Sequence, residues 1–443
     1  MRRHRDVGLR QVHHYYFRNG TMDFATGWIL GYGQLGGLSA GEVFDCLNQI
    51  RDGDPRSWVN AFSACADRQE AAGERQAAID PAGAAERYLA SAVAARAAWH
   101  LIDPTGSTAT ALLDQLERAF QRSMALSGSH LCPTTIRVDT LPGATLPAYQ
   151  SRPGTLGDDG RPWYVVIGGG DTFREDLYFF GGREALRRGY RVLLVDLPGQ
   201  GSTPYQGLHF GTATATALRQ VLAGLRSAWP DSPIVLTGYS GGGYFTAVAA
   251  ADRTLGLSAW VASTPVTDIS ALLASGMPAV AQHRRAAAWT RPLVRLAGRV
   301  NPVLDAALRK YAWQFGSDSL ADLVTLAGAA GVVDPAAIDV PVLGLVGLSE
   351  AAEARRQAAA VVADVRRRHP ESELVEFEPW TGADAHCQVN NLPLAQRHIF
   401  GWLSRLGLAP PGAGTPVASS SSNARSDGPE NSLVRPGMID GCC

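Results

Sequence analysis

Gly238-Tyr-Ser240-Gly-Gly242 sets a serine among glycines, with the apolar run Ile234-Val-Leu-Thr237 before it and Gly243-Tyr-Phe-Thr-Ala-Val-Ala-Ala-Ala after it. Strand, sharp turn and helix in that order hold a serine hydroxyl on a strained elbow above a sheet, where larger side chains would collide with the neighbouring strand and helix. Such a serine is a candidate nucleophile toward a carbonyl carbon. The attack creates an oxyanion, which needs preorganised N–H donors. Gly241, next in the chain, supplies one; Gly170, in the loop Gly168-Gly-Gly170-Asp171-Thr172 after the apolar run Tyr164 to Ile167, is the candidate for the other.

A base must take the serine proton, and in this arrangement an acid and then a histidine follow the serine in the chain. Of ten histidines, only His386 falls on a loop after a late apolar run, in Gly382-Ala-Asp-Ala-His386-Cys-Gln. The acid is more open. Gly347-Leu-Ser-Glu350-Ala-Ala-Glu353 follows the run Val342 to Val346 and offers two carboxylates; Glu350 is preferred, Glu353 is the alternative and Asp384 a third choice. Glu353 serves equally well as the first-turn acid of the next helix, where the dipole stabilises it.

Two other motifs lack the context their chemistry needs. Gly31-Tyr-Gly33-Gln-Leu-Gly36, with Asp52 beyond it, matches a dinucleotide fingerprint, yet Phe24-Ala-Thr-Gly-Trp-Ile-Leu before it has a helical pattern and no strand leads in. Gly37-Leu-Ser39-Ala-Gly41 repeats the nucleophile pattern, but Ser39 with Glu42 three residues on is a capping box that opens a helix. No cofactor is expected, and no metal, since no two histidines share a helix face with a nearby acid.

Composition narrows the function classes further. Lys310 is the only lysine, in Leu-Arg-Lys-Tyr, so phosphate-cradling lysine loops and Schiff-base chemistry have no candidate. The formal net charge is -1 over 443 residues, which leaves no electrostatic footprint for nucleic acid. Six scattered cysteines are too few to staple a chain this long, and no uncharged apolar run has spanning length. A cytoplasmic protein with a small-molecule substrate and no membrane partner is expected, with a homodimer left open. Cys442-Cys443 has no assigned role.

The elements that must position these residues fall in three blocks. Residues 1–130 read as helices, with apolar residues at three- and four-residue steps from Ala84 to Leu101. Period-two alternation begins at Ile136 to Leu141 and resumes at Thr145 to Tyr149, a hairpin around Pro142-Gly143; short apolar runs at Trp163 to Ile167, Val192 to Val195, Ile234 to Thr237, Ser258 to Ala262, Val342 to Val346 and Leu374 to Phe377 then alternate with helices. Residues 131–408 are therefore expected to hold a mostly parallel sheet, interrupted at 268–339 by a helical insertion above it. Residues 409–443, rich in Pro, Gly and Ser, are expected to be a disordered tail.

Serine elbow, Gly-Gly-Gly-Asp loop, loop acid and late histidine together resemble the α/β-hydrolase superfamily, in the branch of 2,6-dihydroxypseudooxynicotine hydrolase and the FrsA-like esterases. The resemblance also covers Asp196-Leu-Pro-Gly-Gln-Gly201, and the branch is narrowed by the helical N-terminal part with Gly53-Asp54-Pro-Arg-Ser-Trp58 and by the Ala-His-Cys-Gln loop. The resemblance implies an α/β fold with a helical cap domain and a helical lid, a serine-hydrolase activity on an ester, thioester, amide or C–C bond of a bulky molecule, and no cofactor. Natural-product acyl transfer or cyclisation would use the same parts, and a non-catalytic binding protein is the rival class. The resemblance assigns Ser240, His386, Glu350, Gly241 and Gly170 to the catalytic positions, although the branch often has aspartate at the acid. A helical domain over the site makes Tyr15, Tyr16, Trp28 and Trp58 candidate pocket walls. Asp171 and Tyr239, beside Gly170 and Ser240, complete the expected substrate contacts along with Trp28 and Tyr16.

Overall fold

Five helices come first: α1 (Gly20–Gly33), α2 (Ala40–Leu47), α3 (Pro55–Gln76), α4 (Pro81–His100) and α5 (Ser107–Leu126). Their starts are written locally. Asn19, Asp54 and Asp80 cap α1, α3 and α4 through their side chains, proline opens α3 and α4, and Ser39 with Glu42 forms the expected capping box on α2. The computed structural model describes residues 10–141, 143–152, 160–275, 298, 300–317 and 320–411. Cys442, Cys443, most of the expected tail and residues 276–297 of the insertion lie outside the described residues.

The apolar runs form one eight-stranded sheet: β1 (Leu131–Arg137), β2 (Thr145–Ser151), β3 (Trp163–Ile167), β4 (Arg191–Val195), β5 (Ile234–Tyr239), β6 (Ala259–Ser263), β7 (Val342–Gly347) and β8 (Glu373–Phe377). The order is β1-β2-β4-β3-β5-β6-β7-β8. The β1–β2 hairpin is antiparallel, β2 runs antiparallel to β4, and the strands from β4 across to β8 are parallel. Parallel strands linked by helices are covered on both faces, and β3, β4, β5, β6 and β7 are buried along their whole length.

Side-chain alternation sends each strand into two cores. Trp163, Val165 and Ile167 join one core with α8 (Thr212–Ala228), α9 (Gly242–Ala250) and α13 (Ala352–Arg366). Tyr164 and Val166 face the other, which runs without a break into α1, α3, α4 and α5 and into α14 (Leu392–Arg405). The N-terminal helices therefore share a core with the sheet. A seam of buried charge reinforces the junction: Arg96 of α4 pairs with Asp176 at 2.8 Å, and Arg174 with Glu117 of α5 at 2.8 Å; Arg174 and Asp176 lie on the short helix α6 (Arg174–Leu177). Helix α7 (Arg183–Arg187) leads into β4, and α10 (Ile269–Ser275), α11 (Pro302–Phe315) and α12 (Leu320–Ala329) occupy the segment between β6 and β7.

The dinucleotide-like glycines belong to this packing. Gly31 and Gly33 are inside α1, and a Cβ on Gly31 would stand 1.8 Å from the Val389 carbonyl, so the glycine lets α1 seat against the loop after His386. Asp52 accepts from the Arg18 and Asn19 N–H groups at 3.0 Å each. Among the described residues no helix is long and apolar enough to cross a membrane.

Candidate active site

Ser240 sits between β5 and α9 with a φ of +55°, the strained elbow its surroundings impose. Glycine is required beside it: a Cβ on Gly242 would lie 2.5 Å from the Gly168 carbonyl oxygen and 2.7 Å from that of Ile167, so the loop after β3 can rest against the elbow. His386 comes from the loop after β8, and its Nε2 is 2.9 Å from Ser240 Oγ. Its Nδ1 is 2.7 Å from Glu350 Oε2. Glu350 is held in turn by Thr264 Oγ1, which donates to Oε1 at 2.8 Å, and by the Cys387 N–H at 3.3 Å.

Three acids were open, and the geometry separates them. Glu353 faces Arg356 and Gln357 on its own helix, α13, at 2.6 Å and 2.8 Å. Asp384 accepts from Ser349 Oγ at 2.5 Å, Asn390 Nδ2 at 3.1 Å and the Val12 N–H at 3.3 Å. Only Glu350, among these, reaches the imidazole. Burial opposes a charge on Glu350, but His386, Thr264 and the Cys387 N–H outweigh it and hold its pKa below the usual range. Burial likewise opposes protonation of His386, whereas Cys387 and the Glu350 carboxylate favour it more strongly and raise its pKa to about 10.

The backbone amides border the hydroxyl. A Cβ built on Gly169 would stand 2.6 Å from Ser240 Cβ, 2.9 Å from its Oγ and 2.8 Å from the Gly241 nitrogen; one built on Gly241 would stand 3.8 Å from the Gly170 nitrogen. Neither the Gly241 nor the Gly170 N–H is engaged by an acceptor among the described residues. That leaves room for two donors to a substrate oxygen.

The expected substrate contacts fare unevenly. Asp171 is not a free ligand: Lys310 Nζ of α11 lies 2.7 Å from Oδ1, Arg10 Nη1 3.3 Å from Oδ2, and Tyr311 Oη donates to Oδ2 at 3.4 Å. Burial disfavours its charge, yet Lys310, Arg10 and His100 hold its pKa well below the carboxylate range. Tyr239 is corrected outright. It still follows the pleat of β5 into the core, where its ring packs 4.6 Å from Phe180 and its hydroxyl donates to the Phe180 carbonyl. Tyr16 is corrected too, because its ring lies beside Phe17 and Phe44 and its hydroxyl donates to Asn48 at 2.9 Å, on the outside of the helical part. Trp58 is core, donating to the Ala97 carbonyl. Trp28 packs against His100 and under the Arg96 guanidinium, which donates to the carbonyl of Asp171, the residue after Gly170.

Sequence reasoning missed an N-terminal strap. The His386 N–H donates to the Arg10 carbonyl at 2.8 Å, while the Arg10 side chain reaches Asp171 on the other side of Ser240. Asp23 organises the strap, accepting from Tyr15, Tyr16 and Phe17 N–H groups and from Gln11 Nε2 at 2.9 Å. Phe24 is also at the site, its ring centroid 6.4 Å from that of His386. Nothing local in Arg10 or Phe24 marks either as a neighbour of His386. Among the described residues no group of three His, Cys, Asp or Glu side chains converges to hold a metal ion.

Comparison with known proteins bears on the family and the fold. A family described as serine aminopeptidase, S33, matches residues 182–320. The chain is 30% identical over 321 residues to the 20-hydroxy-prefusarin hydrolase FUS2 of Gibberella moniliformis, covering 68% of this chain and 74% of that protein. It is 29% identical over 256 residues to the hydrolase ORFZ of Pyricularia oryzae, 54% of this chain and 60% of that one. The crystal structure of the 2,6-dihydroxy-pseudo-oxynicotine hydrolase superposes with a TM-score of 0.62 at 17% identity, covering 88% of this chain and 98% of that one, a likeness of fold. The chain is thus a hydrolase and belongs to the α/β-hydrolase superfamily.

Proposed function

We propose that the protein is a serine hydrolase acting on a bulky small molecule, with Ser240 as nucleophile, His386 as base, Glu350 as the acid that orients it, and the N–H groups of Gly241 and Gly170 as oxyanion donors. The observation that carries this reading is the continuous hydrogen-bonded line from Ser240 Oγ through His386 to Glu350, at 2.9 Å and 2.7 Å. Ser240 gives its proton to His386 Nε2 as its oxygen attacks the carbonyl carbon. The tetrahedral oxyanion rests on the two amides, and the leaving group departs with the proton from His386. Water then repeats the sequence on the acyl-enzyme. Glu350 keeps the proton-bearing nitrogen of the imidazole turned away from Ser240 and stabilises the imidazolium.

Esters, thioesters, amides and activated C–C bonds all pass through related tetrahedral species, so the triad chemistry accommodates each. A relative named for hydrolysis of 20-hydroxy-prefusarin supports a complex organic substrate, as in secondary metabolism. Phe24, Trp28 and α11, whose Lys310 and Tyr311 reach Asp171, give the site an aromatic and helical cover. A cytoplasmic setting completes the reading, on the scattered spacing of the cysteines.

A fluorophosphonate probe tests the assignment. Label on the wild type that is absent in Ser240→Ala and strongly reduced in His386→Ala is the expected result; a folded wild type that takes no label, or label retained in Ser240→Ala, sinks it.

A further inference from the structure

Asp196-Leu-Pro-Gly-Gln200-Gly201 follows β4, and the chemistry above makes no use of it. Gln200 is 1% exposed, so its amide must find its partners inside the protein. Its Oε1 accepts from the Leu197 N–H at 2.9 Å, which fixes which way round the amide sits. Its Nε2 therefore faces the loop after β3, where it donates to the Gly169 carbonyl at 3.1 Å and to the Gly168 carbonyl.

The Gly169 carbonyl and the Gly170 N–H belong to one planar trans peptide and point in opposite directions. Sheet order β4-β3-β5 sets the loop after β3 between the loop that bears Gln200 and the elbow that bears Ser240. A carbonyl drawn toward Gln200 turns the N–H of the same peptide toward Ser240. We propose that Gln200 is a positioning residue, holding the Gly170 N–H in its oxyanion-binding orientation; the inference rests on the assignment of Ser240 as nucleophile. Two adjoining glycines give this peptide unusual freedom to rotate, which is why an anchor matters here. Thr172 Oγ1 is a longer second contact to the same carbonyl, at 3.3 Å, and Gln314 Nε2 binds the Gly170 carbonyl, which belongs to the next peptide.

Two variants test the assignment. Gln200→Met keeps the length and removes both donors; Gln200→Glu keeps the acceptor for Leu197 and, when ionised, lacks the donors. Turnover of p-nitrophenyl butyrate is measured per fluorophosphonate-titrated serine, beside the affinity for an alkyl trifluoromethyl ketone, whose serine adduct carries the oxyanion. Expected are a kcat lower by on the order of 10- to 100-fold with KM unchanged, and a ketone affinity weakened by the same factor. The pH midpoint of kcat/KM, set by His386 and Glu350, should stay where it is in the wild type. A purely structural role would lower the titratable fraction and leave turnover and ketone affinity of the remaining sites at wild-type values, and that result overturns the proposal. Labelled wild type with variants of unaltered kcat overturns it alone; a wild type unlabelled at Ser240 overturns the nucleophile assignment as well.

Discussion

The His386 N–H donates to the Arg10 carbonyl at 2.8 Å, so the imidazole that faces Ser240 is fastened by its own backbone to a strap from the opposite end of the chain. Because the Arg10 guanidinium also meets Asp171, next to Gly170, one residue touches the loops that carry His386 and Gly170.

The strap depends on Asp23, whose carboxylate gathers three backbone N–H groups and the Gln11 amide. Asp23→Ala is expected to cost about 2–4 kcal/mol in urea unfolding, because buried donors lose their acceptor. It should also lower kcat/KM under conditions where the variant is fully folded. Full activity in the folded variant would show that the strap does not hold His386.

Against the effect of burial, Cys387 and the Glu350 carboxylate raise the proton affinity of His386, and the imidazole must be neutral to act as base. In the wild type kcat/KM should therefore climb with pH beyond the ordinary imidazole midpoint of 6.5. Glu350→Gln removes the anion, so the imidazole releases its proton at lower pH: the rising limb moves toward acid while the plateau falls by about 10²- to 10⁴-fold. Glu353→Gln should leave both limb and plateau unchanged. A pH–rate series on the three proteins decides it.

Lys310 is nearly buried and pairs with Asp171 across the contact between α11 and the loop after β3. Lys310→Met leaves that carboxylate with less compensation and should destabilise the protein by about 3–5 kcal/mol. Adding Asp171→Asn should cost less than the sum of the single changes, since the second substitution removes the charge the first exposed. Additive losses in a denaturation cycle would mean the pair carries no coupling.

Gly169→Ala would drive a Cβ to 2.6 Å from Ser240 Cβ, so either the loop or the elbow must move. A shift of that kind is expected to lower kcat by about 10²-fold or more, with the circular dichroism spectrum retained. Gly41→Ala, where a Cβ meets nothing within 4 Å, is the matched control and should be silent.

The elbow at Ser240, the glycine loop at 168–170 and the late loop with His386 were legible because each is a local grammar of strand, turn and helix, in which neighbours in sequence are neighbours in space. The capping box at Ser39 was legible for the same reason, and it dismissed a second nucleophile pattern. Tyr239 misled because adjacency to Ser240 does not carry the side chain along: one residue before the elbow it still obeys the pleat and points into the core.

Local spacing in the chain was enough to name the serine, the histidine and the sheet that presents them, since those features need only a few consecutive residues to be written. Packing brought Glu350 and not Glu353 to His386, drew Arg10 to the same histidine, set Lys310 on Asp171 and turned Gln200 toward the glycine loop. These contacts join residues far apart in sequence, and their distances are fixed only when the order of strands and the shared core bring separate loops to one end of the sheet.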